Sequence, residues 1–138
     1  MSMGGDFYAI SDEQLTRLLD GTLNYDEFFC DEIEDRPREC YSGCEWVWYE
    51  LTQILMPEDG CGVEITDAIP EALGYSYSGD VESVAEALAM LDDEEIKLRY
   101  SKIKAKEPLE DVLRVIKELV VFYQRAAANK DAIVFRVM

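Results

Sequence analysis

Apolar residues near the end of the chain recur three or four positions apart, which is the spacing of one face of an α-helix. They are Leu109, Val112, Leu113, Ile116, Leu119, Val120, Tyr123 and Ala127. A second apolar set, formed by Val115, Val121, Phe122 and Ala126, predicts a helix that is buried on two sides. Asn129 suits the C′ position, and alternating apolar residues from Ile133 to Val137 predict a closing strand. We expect this helix and strand to form the centre of the fold.

The start of the chain predicts a strand followed by a helix, the reverse of the order predicted at its end. Phe7 to Ile10 is a short β-prone run, and Ser11 directly after it opens a capping box with Gln14 at position N3. Gly21 predicts the end of this first helix. A second start signal lies at Asn24, followed three residues later by Glu27, and Pro37 marks the expected end of that helix.

The middle of the chain predicts a helix after a further capping box, Ser42-Gly43-Cys44-Glu45. Its apolar stripe comprises Val47, Trp48, Leu51, Ile54 and Leu55. Trp46 and Tyr49 lie off this stripe, so they are the aromatic side chains that we expect to be exposed. Beyond Pro57 the pattern predicts a loop, then one helical turn that starts at Thr66 or Asp67 and ends at Gly74, and irregular structure from Tyr75 to Gly79.

Two more helices precede the C-terminal one. Val81, Val84, Ala85, Leu88 and Leu91 form one helical face, and Asp92 caps a shorter helix that continues to Tyr100. Together these elements predict an α+β fold in a single domain over residues 1–138. Its small sheet should contain the N-terminal and C-terminal strands, and several helices should pack against it.

The acidic residues are concentrated in the first half of the chain. The formal net charge is −17, and residues 1–74 contain 18 acidic but only 3 basic side chains. Such a field repels nucleic acids and anionic membrane surfaces, so we expect neither as a partner and favour a basic protein. Acidity that only keeps the protein soluble is an equally simple explanation.

The sequence predicts a cytoplasmic protein, because it has neither a transmembrane run nor the basic and apolar regions of a signal peptide. The cysteines Cys30, Cys40, Cys44 and Cys61 are therefore expected to be reduced thiols. Their spacing lacks the paired C-x2-C pattern of structural zinc sites, so buried thiols are the better interpretation. We expect no metal and no cofactor.

The absence of histidine removes the usual general base at neutral pH and the commonest metal ligand. Gly60-Cys61-Gly62 lacks the further glycine and the lysine of a phosphate-binding loop. Carboxylates are plentiful, but most fit capping positions and solvated faces. We therefore predict a protein that is not an enzyme.

The best candidate for a binding surface is the acidic helix after Asn24. Its carboxylates alternate with apolar side chains, and charge steering around an apolar anchor is typical of tight protein binding. The candidate partner-binding residues are Asp26, Glu27, Asp31, Glu32, Glu34, Asp35, Trp46 and Tyr49. An ordinary amphipathic helix with a solvated face is the alternative.

Three segments together resemble the YfbM-like family of bacterial domains of unknown function. They are Met3 to Leu15, Gly74-Tyr75 followed by Val81 to Leu88, and Phe122 to Ala127 before the last strand. The resemblance covers nearly the whole chain, but the histidines usual in that family around residues 46 to 55 are missing here. It implies an α+β domain, and, because family members occur near polymorphic toxin systems, it suggests an immunity or partner-binding role.

Three hypotheses follow for the function. The first is a binding module, an immunity protein that neutralises a basic toxin. The second is a small-molecule-binding or enzymatic domain with a pocket near Trp46 and Tyr75. The third is a DNA mimic, which would compete for DNA-binding proteins.

Overall fold

A four-stranded antiparallel sheet forms the framework of the molecule. The computed structural model describes residues 4–24, 27–28, 41–65, 69 and 72–137. The strands are β1 (Gly5–Ile10), β2 (Tyr41–Glu45), β3 (Ala72–Ser76) and β4 (Ala132–Val137), in the order β2-β1-β4-β3. The predicted α+β class is confirmed, and the N-terminal and C-terminal strands are the two central ones.

Five α-helices lie within the described residues. They are α1 (Asp12–Asp20), α2 (Trp48–Ile54), α3 (Ser78–Ala89), α4 (Asp93–Ser101) and α5 (Leu109–Ala128), and a 3-10 turn, Met56–Glu58, follows α2. Among them there is no helix whose length and apolar character would allow it to cross a bilayer.

Both faces of the sheet are covered, which explains why every described side chain of β4 is buried. Phe7, Phe135 and their neighbours on one face belong to the large core that includes helices α2 to α5. Tyr8 and Val134 on the other face pack with α1 and with Phe28. The ring centroids of Phe7 and Phe135 are 4.3 Å apart in a stacked pair at the centre of the first face.

The long helix α5 is buried as the periodicity predicts, with one exception. Val112, Val115, Ile116, Leu119, Phe122, Tyr123 and Ala126 are buried. Val121 is 46% exposed, so its place in the second buried stripe was wrong. The end is displaced by one residue, because Asn129 is the C-cap and Lys130 takes the positive φ of 58° expected at C′.

Local start signals are confirmed at several helices. The Ser11 hydroxyl accepts from the Gln14 amide at 3.0 Å, and the Gln14 side chain accepts from the Ser11 amide at 3.1 Å. Asp92 caps α4 at 2.8 Å through the amide of Glu95. Asn24 accepts from the Glu27 amide at 3.0 Å, whereas the rest of that predicted helix, to Pro37, lies outside the described residues.

Three predictions in the middle of the chain were wrong. Ser42 to Glu45 is not a capping box but part of the edge strand β2, and α2 begins at Trp48 without a side-chain cap. The segment from Tyr75 to Gly79 is not irregular, since it contains the end of β3 and the start of α3. The predicted helical turn does not end at Gly74, because Gly74 lies inside β3, and its predicted start at Thr66 or Asp67 falls outside the described residues. In each place pairing with a distant strand outweighs a local capping or turn signal.

Candidate functional site

Part of the predicted acidic surface can be located. Glu27 is exposed at the start of the second predicted helix. Asp26, Asp31, Glu32, Glu34 and Asp35 lie outside the described residues. Their grouping into one binding face therefore stays a prediction.

Trp46 and Tyr49 lie on the outer side of α2 and of the turn before it. Trp46 is 49% exposed, Tyr49 is half-buried, and the stripe residues Val47 and Leu51 are buried. The rings of Trp48 and Tyr49 meet edge to face, with centroids 6.3 Å apart. The amphipathic pattern thus predicted correctly which tryptophan reaches the surface.

Tyr75 lies far from Trp46. Tyr75 is on β3, one edge strand of the sheet, and Trp46 follows β2, which is the other edge strand. Three strand-to-strand steps separate these edges by about 14 Å. The two residues therefore do not line one pocket, and Tyr75 instead packs against Tyr77, with ring centroids 5.9 Å apart.

Residues 56–65, which connect α2 to the edge of β3, are anchored on several sides. The buried Tyr123 hydroxyl donates to the Gly60 carbonyl at 2.8 Å, and Glu64 and Tyr75 exchange two backbone hydrogen bonds of 3.1 and 2.9 Å. The Val63 amide donates to the Ser76 hydroxyl at 3.1 Å. This segment is therefore held in one conformation by contacts with α5 and β3.

Two glycines allow the segment to lie this close to β3. Gly62 has a φ of +124°, and a Cβ atom there would meet the Tyr75 nitrogen at 2.6 Å. A Cβ atom at Gly74 would meet the Cys61 carbonyl oxygen at 2.5 Å. A side chain at either position would push the backbone of the segment away from the strand.

Arg99 ties α4 to the same segment. Its Nη1 lies 2.5 Å from Glu58 Oε1, its Nη2 lies 2.9 Å from Glu58 Oε2, and Nη1 also donates to the Ile54 carbonyl at 2.9 Å. The hydrogen bond with Glu58 raises the pKa of the guanidinium further above its ordinary value. The negative charge of Glu58 is therefore already balanced by Arg99 within the molecule.

Two cavities are lined in part by residues 56–65. The first, of about 350 Å³, is lined by Thr52, Met56, Asp59, Cys61, Gly62, Val63, Ile65 and Leu73. The second, of about 250 Å³, is lined by Pro57, Glu58, Asp59, Val63, Asp80, Ser83, Val84 and Ala87. Asp59 and Val63 line both cavities, and among the residues that the structure describes no lysine or arginine lines either. We call the first the apolar cavity and the second the acidic cavity.

A polar cluster on the opposite face of the sheet was not predicted. Arg136 in the central strand β4 is buried, with its guanidinium carbon 5.6 Å from the centre of the Tyr8 ring. Close by, the hydroxyl of Tyr41 donates a hydrogen bond to Asp6 at 2.6 Å. Burial is the main reason why the pKa values of Tyr8 and Tyr41 are raised, and the nearby Asp6 raises them further. Alternation along β4 indicated which face Arg136 occupies, but nothing in the sequence indicated that this face is covered.

The two described cysteines are free thiols, one buried and one partly buried. Cys44 is buried, and Cys61 is a free thiol whose pKa is raised by burial and by its proximity to Cys44. Cys30 and Cys40 lie outside the described residues. Among the residues whose positions are given, no three potential ligands come together for a metal ion.

Comparisons with known proteins identify relatives that have no assigned activity. A family model described as a domain of unknown function, DUF1877, matches residues 1–136. The solved structure of YfbM from Escherichia coli, described as a protein of unknown function, is similar to this chain with a TM-score of 0.69 and 13% identity. The match covers 98% of this chain and 99% of that one, and at this identity it shows the fold alone. No curated protein matches the chain. The predicted resemblance to the YfbM-like family is confirmed.

Proposed function

Because the chain belongs to the DUF1877 family, a domain of unknown function, we propose a function from its charge and geometry. The chain is an acidic binding module that neutralises a basic toxin, as an immunity protein does. Trp46 is the observation that supports this function most directly. It is half exposed on the acidic half of the chain, three residues before the half-buried Tyr49.

Tryptophan and tyrosine are enriched among the residues that contribute most to protein interfaces. Burying Trp46 against a partner removes a large apolar side chain from water, which supplies affinity. The excess of negative charge in residues 1–74 adds long-range attraction to a basic surface and speeds association. Affinity and steering are thus both assigned to residues 1–74.

Co-expression with the products of neighbouring genes tests this function. We expect the chain to restore growth to a bacterial host that one of those products arrests. We also expect calorimetry of the purified pair to show binding that weakens between 50 and 300 mM NaCl. If no neighbouring product is neutralised or bound, the proposal is wrong; protection only against DNA-binding proteins would favour a DNA mimic instead.

Two sets of substitutions test which residues contribute to the affinity and the association rate of this complex. Trp46→Ala should weaken binding about tenfold or more, because the exposed indole is the proposed anchor. Leu98→Ala is the matched control, since Leu98 is also half exposed but lies on α4. Charge reversal at Asp31, Glu32, Glu34 and Asp35 should mainly slow association. An unchanged association rate at low salt would remove these four residues from the proposed surface.

A further inference from the structure

Four side chains on α2 and on the turns that flank it connect Trp46 with the apolar cavity. Tyr49 and Thr52 lie three residues apart on α2, so they share one side of the helix, whereas Trp46 lies in the turn before α2 and Met56 in the 3-10 turn after it. We call these four residues the α2 stripe. Thr52 and Met56, its last two members, line the apolar cavity.

The apolar cavity is bordered by side chains that are unusually exposed for their type. Met56 is 64%, Ile65 86% and Leu73 41% exposed. They come from the turn after α2, the end of the 56–65 segment and β3, yet all three line the same cavity. Clustered exposed apolar side chains mark interaction surfaces more often than scattered ones do.

The acidic cavity combines aliphatic walls with carboxylates. Val84 and Ala87 of α3 and Pro57 provide the apolar part, and Asp59 and Asp80 are exposed carboxylates at its border. In the described part of the chain, neither Asp59 nor Asp80 forms a salt bridge, whereas Glu58 is paired with Arg99. A lysine or arginine side chain fits such a site, with its methylene groups against the walls and its charge at the carboxylates.

We propose that the α2 stripe and the two cavities form one docking surface for a basic amphipathic segment of the partner protein. An apolar side chain of that segment enters the apolar cavity, and a neighbouring lysine or arginine enters the acidic cavity. This inference rests on the proposed function, because it specifies the part of the basic partner that is recognised. The anchored 56–65 segment is already in place before binding, so little conformational entropy is lost on docking.

The charge of the lining residues distinguishes this surface from a third cavity, and the charge of the chain argues against a second copy as its occupant. A third cavity, of about 300 Å³ between β2 and α5, is lined by Tyr41, Ser42, Glu118, Val121, Phe122 and Arg125. Its carboxylate and its guanidinium offset each other, so it does not favour a basic segment. A second copy of this chain is disfavoured as the occupant, because each copy has a net charge of −17.

A synthetic peptide tests the docking surface without requiring the natural partner. The probe is an amphipathic peptide of leucine and lysine, with leucines at helical i, i+3, i+4 and i+7 positions. One control peptide replaces lysine by glutamate, and the other replaces leucine by serine. Titration into the 15N-labelled protein should shift the amide signals of residues 46–65, 73 and 80, and both control peptides should bind about tenfold more weakly or worse.

Matched variants identify the surface. Met56→Ser combined with Ile65→Ser should weaken binding of the leucine-lysine peptide about tenfold, and Asp80→Asn should weaken it about threefold. Leu98→Ser is the control, because Leu98 is another exposed apolar side chain but lies on α4 and lines neither cavity. All of these side chains are exposed, so we expect the variants to fold, which their amide spectra would verify.

The inference is wrong if the peptide shifts the amide signals of all acidic helices alike. It is also wrong if the double variant with Met56→Ser and Ile65→Ser binds the peptide as tightly as the unchanged protein. The natural toxin pair separates this failure from failure of the proposed function. A toxin that binds the double variant normally would leave the immunity role intact and overturn only the docking surface. A chain that binds the peptide at residues 46–65 but neutralises no neighbouring product would overturn only the immunity role.

Discussion

Glu50 is a buried carboxylate whose role is to hold a loop. It is 1% exposed on α2, and its Oε1 accepts from the amides of Lys106 and Glu107 at 2.8 and 3.2 Å. These amides precede α5, so one side chain joins the connection between α4 and α5 to α2. The amphipathic pattern of α2 did not predict it, because an acidic residue in a helix is normally solvated.

Replacing Glu50 by alanine should lower the free energy of unfolding by about 2 kcal/mol, because two amides lose their acceptor in a buried site. Glu50→Gln retains one acceptor oxygen and should lower it less. Urea unfolding of the two variants would measure both values. Equal losses in the two variants would mean that the charge, and not the hydrogen bonds, determines the contribution.

Buried tyrosine and cysteine side chains make the stability depend on pH. Burial raises the pKa of Tyr123 well above its ordinary value of 10.0, and burial raises that of Cys61 above 9.0. Because the folded state binds these protons more tightly than the unfolded state, their contribution is complete below the unfolded pKa values and is lost as the pH rises towards the folded ones.

We therefore expect the free energy of unfolding to fall as the pH rises above about 9. Urea unfolding at pH 7, 9 and 10.5 would measure the decline. Tyr123→Phe should show a shallower decline, although it loses about 1 kcal/mol at pH 7 with the hydrogen bond to Gly60. Tyr49→Phe, at a half-buried tyrosine on α2, is the control, and a decline as shallow in this variant would contradict the assignment to Tyr123.

At the scale of elements, long-range contacts position the proposed docking surface. The 56–65 segment has little regular structure of its own, and Tyr123 of α5, Arg99 of α4 and the backbone of β3 fix it. The helix start signals at Ser11 and Asp92 were predictable because they act within four residues. The strands β2 and β3 were not, because β2 pairs with β1 and β3 pairs with β4.

Arg99→Met should release the 56–65 segment from α4. We expect a loss of about 2 kcal/mol in the free energy of unfolding, because Glu58 and the Ile54 carbonyl lose the guanidinium that binds them in a half-buried site. Amide hydrogen exchange should accelerate at residues 56–65 in the same variant. Lys97→Met is the control, because the Lys97 ammonium lies 3.7 Å from Glu94 on an exposed face and contributes almost nothing. Unchanged exchange in Arg99→Met would show that Tyr123 and β3 suffice to hold the segment.

At the scale of the whole molecule, the charge distribution is uneven between the two halves of the chain. The strongly acidic half includes α1, β2 and α2, and the nearly neutral half includes helices α3 to α5 and β4. The proposed docking surface lies mainly on the acidic half, with Asp80 contributed by α3. Self-repulsion among the acidic groups lowers the stability of the compact state.

Salt should therefore stabilise the protein. Between 10 and 500 mM NaCl we expect the free energy of unfolding to rise by about 1 kcal/mol, because screening reduces the repulsion. Thermal unfolding over this range would measure it. A variant with Asp31→Asn, Glu32→Gln, Glu34→Gln and Asp35→Asn should respond less to salt, and an equal response would place the repulsion elsewhere.

Periodicity, capping signals and resemblance along the chain were enough to predict the α+β class, the family, the buried face of α5 and the exposure of Trp46. Each of these depends on apolar periodicity, on capping within one helical turn or on similarity along the chain, so the information is local. Three features became visible only in the folded chain: Ser42 to Glu45 is a strand, Arg136 is buried, and Met56, Ile65 and Leu73 border one cavity. These outcomes depend on which distant segments pair or pack together, and the free energy of such contacts is not encoded in the spacing of neighbouring residues.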